Sequence, residues 1–156
     1  ILGVIRPTVE SAGKFKKIGL IGTLRTIDSS AYLQELKKIN PRVKLTAKAT
    51  PGLVPMIEKG EYNEKILKNY LTPFKNSECL ILGCTHYGIL KKKIEKILGK
   101  KVKIIAQEDI IPGKLKNYLH RHSEIKKKLS RNRNFEILVT KITKNNKNFS
   151  PKLVKL

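Results

Sequence analysis

The sequence predicts an α/β fold in which helices flank a parallel sheet. Short apolar runs alternate along the chain with segments whose apolar residues recur at helical spacing. This alternation is typical of parallel sheets, because a parallel connection must be long enough to hold a helix. We expect strands at residues 16–23, 43–49, 78–83, 101–106 and 135–143, and we expect the chain to begin within a strand.

The helices are expected between these strands. Residues 27–39 are expected to form the first helix, with Asp28 or Ser29 as its N-cap. Further helices are expected at residues 63–74, at residues 88–99, and in a long basic segment that breaks near His122. Residues 50–62 are predicted to be a loop with one helical turn. The side chains expected to face the core from the first two helices are Tyr32, Leu33, Leu36, Ile39, Ile66, Leu67, Tyr70 and Leu71.

The composition changes after the fourth of these expected strands. Residues 105–156 are denser in positive charge and end in a polar tail, whereas residues 1–104 hold the regular alternation of strands and helices. We therefore expect an α/β domain at residues 1–104 and a separate C-terminal segment at residues 105–156.

The net charge of +22 does not by itself predict nucleic-acid binding. The basic residues are 28 Lys against 6 Arg, aromatic residues are 6% of the chain, and Trp is absent. Specific nucleic-acid recognition relies on bidentate Arg contacts and on aromatic stacking. We expect no specific nucleic-acid partner, only weak, salt-sensitive binding to polyanions. No apolar run approaches the roughly 20 residues of a membrane span, so no membrane partner is expected.

A cysteine, a threonine and a histidine follow the apolar run at residues 79–83. Ligands bind beyond the carboxyl ends of the strands in a parallel sheet, and Cys84, Thr85 and His86 lie at such an end. Nearby backbone N–H groups and a helix start favour a reactive thiolate there. The alternative is that Cys84 is only a small residue at a strand end and His86 a surface group. Cys84 and Cys79 are too far apart along one strand for a disulfide, so both are expected as free thiols in a reducing cytoplasm.

The string "LILGCTHYGIL" resembles the second cysteine motif of the glutamate racemases, members of the aspartate/glutamate racemase superfamily. The segments "GVIRPTVE", "GLIGTLRTIDSSAY" and "ATPGLVPMIEKGEY" are also similar to segments of that family, the first of them to a strand and turn. The resemblance implies that residues 1–104 are the second of two pseudo-symmetric α/β domains. It also implies that residues 105–156 return to complete a first domain that this chain does not contain.

The resemblance implies cofactor-independent racemisation by two cysteines that act on opposite faces of the substrate. Cys84 would be one of them, serving as base for one enantiomer and as acid for the other. His86 would assist proton movement at Cys84, and Glu58 would help to position His86. An exposed glutamate that caps a helix is the alternative for Glu58.

The same resemblance implies which residues contact glutamate. Thr85 would hold a substrate carboxylate through its hydroxyl and N–H, next to His86. Thr23 and Thr26 match threonines that line the pocket, although turn and cap roles would explain both of them equally.

The sequence departs from the family pattern at several positions. Arg6 stands where Glu is usual, Gly88 stands where Pro is usual, and residues 107–109 lack the usual small residues. The family's first cysteine belongs to the other domain. Cys79 is not expected to replace it, because Cys79 lies at the far end of the same strand as Cys84 and points to the opposite face.

We therefore expect a fragment of a glutamate racemase that holds one catalytic cysteine. The whole enzyme is expected to be a cytoplasmic homodimer that supplies D-glutamate for peptidoglycan. The alternatives are a racemase of the same superfamily acting on aspartate or a related acid, and a non-catalytic remnant that binds polyanions.

Overall fold

The computed structural model describes residues 3–130, 138–139 and 152–153. The chain divides into two units, Ile1–Asn117 and Tyr118–Leu156. The boundary expected at residues 104 and 105 concerns the organisation of a complete racemase and stays a prediction.

A parallel sheet of four strands forms the first unit, in the order β2-β1-β3-β4. The strands are β1 (Lys17–Gly22), β2 (Lys44–Ala49), β3 (Cys79–Leu82) and β4 (Lys103–Ile105). Each lies within a run that was predicted to be a strand. The predicted α/β fold with a parallel sheet flanked by helices is confirmed.

Helices connect the strands. The α-helices of the first unit are α1 (Ile5–Ala12), α2 (Leu24–Asp28), α3 (Ala31–Ile39), α4 (Leu53–Glu58), α5 (Glu64–Leu71), α6 (Lys91–Leu98) and the first part of α7 (Gln107–Arg121). Two 3-10 helices lie at Thr72–Phe74 and Thr85–Leu90. Gly99 ends α6 with a φ of 74°, a backbone conformation that favours glycine.

The sheet separates two apolar clusters, because successive residues of a strand point to opposite faces. On one face Ile21, Leu80 and Leu82 pack with residues of α4, α5 and α6. On the other face Leu20 and Ile81 pack with residues of α1 and α3. Since both faces are covered, the central strands are continuous apolar runs.

The start of the chain differs from the prediction of a strand. Residues Ile5–Ala12 form a helix, with Pro7 in its first turn, where a missing N–H costs nothing. Val9 and Ala12 lie on its buried side. The resemblance of this segment to a strand and turn was therefore misleading for its secondary structure.

The cap predicted for α3 was also wrong. Residues 24–28 form a separate short helix, so Asp28 ends α2 and Ser29 follows it. Ser30 is the N-cap residue of α3 and has a φ of 54°. The apolar stripe is narrower than predicted. Ile39 and Ile66 are 46% and 42% exposed, whereas all the other residues predicted to face the core from these two helices are buried or half-buried.

The second unit contains the end of α7, helix α8 (Ser123–Lys128) and a parallel pair formed by β5 (Leu138–Val139) and β6 (Lys152–Leu153). The two helices meet at His122, where a break was predicted. Most of the strand expected at residues 135–143 lies outside the described residues. No helix in the described part of the chain is long and apolar enough to cross a membrane.

Candidate functional site

The carboxyl ends of β1 and β3 lie side by side at one edge of the sheet. Ile21 pairs with Leu82, so Gly22 and Gly83 follow at the same level. A Cβ on Gly83 would lie 2.9 Å from the carbonyl oxygen of Ile21 and 2.9 Å from a methyl group of Leu20. Only glycine therefore fits where the chain leaves β3, and the next residue is Cys84.

Cys84, His86 and Glu58 form a chain of contacts beyond this edge. Cys84 Sγ lies 3.7 Å from His86 Nδ1. His86 Nε2 lies 3.2 Å from Glu58 Oε1. Cys84 caps the 3-10 helix that contains His86, whereas Glu58 ends α4. The fold thus brings together three residues that the resemblance placed in one catalytic group.

These contacts determine which nitrogen of His86 carries a proton in the neutral ring. A carboxylate only accepts hydrogen bonds, so Nε2 must donate to Glu58. Nδ1 then presents a lone pair to the Cys84 thiol. In this tautomer the imidazole can accept a proton from the Cys84 thiol. Because the His86 and Glu58 side chains are 39% and 60% exposed, their pairing adds little to stability, and orienting the ring is its physical consequence.

Thr23 and Thr26 lie beside the same edge. Thr23 is the N-cap of α2, and its hydroxyl oxygen accepts from the N–H of Thr26 at 3.2 Å and lies 2.9 Å from the hydroxyl of Thr26. The Thr26 methyl group lies 3.5 Å from where a Cβ of Gly83 would be. Both threonines therefore have a structural role, and both are half-buried near the start of the Cys84 loop.

Thr85 is exposed at the first position of the 3-10 helix. No hydrogen bond of the described residues joins its hydroxyl to the Cys84, His86 and Glu58 chain or to the other two threonines. Its predicted contact with a substrate carboxylate stays a prediction.

Cys79 lies away from this site. Its side chain is fully buried in the cluster under α1 and α3, whereas Cys84 packs against the cluster on the other face. Burial, with a smaller contribution from the charge of Glu78, raises the pKa of the Cys79 thiol to about 12. This thiol is therefore neutral at physiological pH, as expected for a cysteine of the core.

Two buried tyrosines lie next to the site. Tyr32 was predicted to face the core, but the sequence did not indicate that either tyrosine lies near Cys84. Tyr87 follows His86, and its hydroxyl lies 2.7 Å from the hydroxyl of Thr50. Tyr32 accepts a hydrogen bond from the Gln107 side-chain amide at 3.0 Å. Burial raises the pKa of both tyrosines, and a negative charge on Cys84 raises both further. The signals in the sequence were the apolar stripe that contains Tyr32 and the position of Tyr87 inside the cysteine motif.

Two of the departures from the family pattern lie against each other. A Cβ on Gly88 would collide with the carboxylate of Glu108, which occupies the space beside the Cys84 loop. Because Glu108 is exposed and its carboxylate is the end of a flexible side chain, the carboxylate can move aside, and this contact does not require glycine at position 88. Among the described residues, no group of three or more His, Cys, Asp and Glu side chains could hold a metal ion.

Comparisons with known proteins show which proteins this chain is similar to. No family model matches the chain. A curated glutamate racemase of Caldanaerobacter subterraneus is 42% identical over 114 residues, which cover 69% of this chain and 43% of the relative. A glutamate racemase of Aquifex pyrophilus is 40% identical over 127 residues, which cover 76% of this chain and 49% of the relative.

Solved structures of glutamate racemases are also similar to this chain. A glutamate racemase of Bacillus anthracis superposes with a TM-score of 0.82 at 29% identity, covering 99% of this chain and 64% of that one. The glutamate racemase of Francisella tularensis in complex with D-glutamate superposes with a TM-score of 0.79 at 30% identity, covering 97% and 60%. The chain is a homologue of the glutamate racemases. It spans about half the length of the curated racemases it matches.

Proposed function

We propose that this chain supplies one half of the active site of a glutamate racemase, with Cys84 as one of two catalytic thiols. The observation that carries the proposal is the contact chain from Cys84 Sγ through His86 to Glu58 at the carboxyl edge of a parallel sheet. Homologous proteins named glutamate racemase support the choice of reaction.

The proposed chemistry is proton exchange at the α-carbon of glutamate. The Cys84 thiolate removes the α-proton, and the electron pair of the broken C–H bond delocalises into the α-carboxylate. A thiol on the opposite face then delivers a proton to the α-carbon, so that the configuration is inverted. No electrons are gained or lost overall, and each cysteine is base in one direction and acid in the other.

His86 would move the proton between Cys84 and solvent. A neutral imidazole whose Nε2–H is bound to Glu58 offers Nδ1 to the thiol, and a carboxylate stabilises the imidazolium that forms. His86 and Thr85 would also contact the substrate, with Thr85 holding a carboxylate. Thr23 and Thr26 would line the pocket.

The second thiol is proposed to belong to another domain of the complete enzyme. Cys79 is buried on the opposite side of β3 and cannot face the α-carbon that Cys84 faces. We further propose that the complete enzyme is a cytoplasmic homodimer that supplies D-glutamate for peptidoglycan.

A reconstitution experiment tests the assignment. The chain alone, incubated with D- or L-glutamate and followed by circular dichroism, is expected to show no racemisation, because one thiol cannot serve both faces. The chain combined with the N-terminal half of a related racemase is expected to be active. Cys84→Ser should abolish that activity, because a hydroxyl is a far weaker acid than a thiol and forms little base near neutral pH.

Cys79→Ser is the matched control, since it makes the same chemical change five residues away. It should retain most of the reconstituted activity, with a stability cost for burying a hydroxyl. Full activity of Cys84→Ser would refute the assignment. So would turnover by the unassisted chain that disappears in Cys84→Ala.

A further inference from the structure

Thr50 and Tyr87 form a buried hydrogen-bonded pair next to the site. Both side chains are fully buried, and their hydroxyl oxygens lie 2.7 Å apart. The Thr50 hydroxyl also lies 3.1 Å from the carbonyl oxygen of Gly22. These contacts join the end of β1, the residue after β2 and the loop after β3.

The Gly22 carbonyl can only accept, so a bond from Thr50 to it uses the single hydroxyl proton of Thr50, and Tyr87 then donates to the Thr50 hydroxyl. The Tyr87 hydroxyl also lies 3.4 Å from the backbone carbonyl oxygen of Thr50, which is a second acceptor for its proton. In both arrangements Tyr87 is a donor and keeps its proton. Burial raises the pKa of Tyr87 to about 12, with a partly opposing effect of its bond to Thr50, so the phenol keeps its proton at physiological pH.

Tyr87 lies within the 3-10 helix that begins after Cys84 and includes His86. The helix is only six residues long, and the hydrogen-bond geometry of a 3-10 helix is poorer than that of an α-helix, so tertiary contacts help to fix this segment. The Tyr87 ring packs in the core, and its hydroxyl bonds this segment to Thr50, the residue after β2. The start of the loop is bonded separately to β1, because the Gly83 N–H donates to the carbonyl oxygen of Ile21 at 2.8 Å.

We propose that Tyr87, acting through Thr50, is a positioning residue that holds Cys84 Sγ and His86 Nδ1 in contact. The inference deepens the proposed function and rests on it for its catalytic meaning. The contact itself can be measured without racemisation, because proton sharing with His86 makes the reactivity of Cys84 depend on the ionisation of the imidazole.

The experiment measures the rate of Cys84 alkylation by iodoacetamide in the full chain from pH 5 to about 9, a range that includes the interval of about pH 5 to 8 in which histidine changes its charge. Mass spectrometry separates Cys84 from Cys79. The reference is His86→Gln, which removes the titrating ring. Tyr87→Phe is expected to move the pH profile most of the way from that of the wild type to that of His86→Gln. In the His86→Gln background, Tyr87→Phe should add little.

Tyr32→Phe is the matched control. Tyr32 is also buried, at 2% exposure, and its hydroxyl also has one side-chain partner, but that partner is Gln107 at the start of α7. Loss of the Tyr32 hydroxyl should leave the pH profile of Cys84 alkylation unchanged. Far-UV circular dichroism establishes that each variant is folded. If Tyr87→Phe does not fold, Thr50→Val, which loses the hydroxyl, is compared with Thr50→Ser, which keeps it.

Three results would overturn the proposal. The first is a pH profile of Cys84 alkylation in folded Tyr87→Phe that matches the wild-type profile. Where the two Thr50 variants replace Tyr87→Phe, the corresponding result is a wild-type profile in folded Thr50→Val. The second is an equal shift in Tyr32→Phe, which would indicate general loosening. The third is a His86→Gln profile identical to that of the wild type. If the profiles shift as expected while the reconstituted enzyme stays inactive, the positioning role stands and the proposed racemase function fails.

Discussion

Ionisation of Cys79 should make the stability of this protein fall at alkaline pH. Burial raises the pKa of the thiol from 9.0 to about 12, so the folded state resists losing a proton that the unfolded chain gives up readily. A pKa that is raised in the folded state contributes stability that is fully present below the pKa of the same group in the unfolded chain. That contribution is lost as the pH rises through the pKa of the group in the folded protein. The free energy of unfolding is therefore expected to fall in a window between pH 9 and about 12.

The magnitude follows from the size of the shift. One pKa unit corresponds to about 1.4 kcal/mol, so a shift from 9.0 to about 12 gives up to about 4 kcal/mol across the whole window. This is a large fraction of the roughly 5–15 kcal/mol by which native proteins are stable. Within the window the free energy of unfolding should fall by up to about 1.4 kcal/mol per pH unit on account of this one group.

The assay compares wild type with Cys79→Ala by urea unfolding at several pH values between 7 and about 11, in the presence of a reductant. Lysines and tyrosines titrate in both proteins, so the difference between the two curves isolates Cys79. Wild type should be the more stable at pH 7, because alanine leaves a small cavity, and its advantage should shrink steadily above pH 9. Curves that stay parallel to pH 11 would refute the reasoning.

Further predictions concern the strand end, the thiols and the surface charge. Gly83→Ala should lower the free energy of unfolding by about 1–3 kcal/mol, because the alanine methyl group would press on the backbone oxygen of Ile21. Urea titration measures the change, and a value below about 0.5 kcal/mol would contradict the steric argument. In folded protein at neutral pH, iodoacetamide should label Cys84 before Cys79, and faster labelling of Cys79 would reverse the assignment. Labelled duplex and single-stranded DNA should bind weakly and dissociate at physiological salt, and submicromolar binding that persists there would show a dedicated site.

The strands and the position of the cysteine cluster could be predicted because they depend on local patterns. The buried run before Gly83 is apolar without interruption, and the residues after it must lie at the carboxyl edge of a parallel sheet. The partnership of His86 with Glu58 came from resemblance alone, since no local pattern relates two residues on separate elements. The structure shows them in contact.

Other features could not be predicted because tertiary contacts decide them. The start of the chain contains isoleucine and valine, which favour strands, but Val9 and Ala12 are buried on one side of a helix packed on the sheet. The bond between Thr50 and Tyr87 joins residues 37 positions apart, each with an ordinary local explanation as a turn residue or a core aromatic. Only the fold shows that the two hydroxyl groups meet.

The two buried tyrosines give the site a spectroscopic signal of its own. The chain has no Trp and only 5 Tyr, so its near-ultraviolet absorption and emission come mainly from tyrosine. Tyr32 and Tyr87 are fixed on opposite sides of the strand that leads to Cys84, and the charge of its thiolate acts on both. Ionisation or alkylation of Cys84 therefore changes the electric field at two rigid chromophores, and an unlabelled sample can report the state of the Cys84 thiol through a tyrosine difference spectrum.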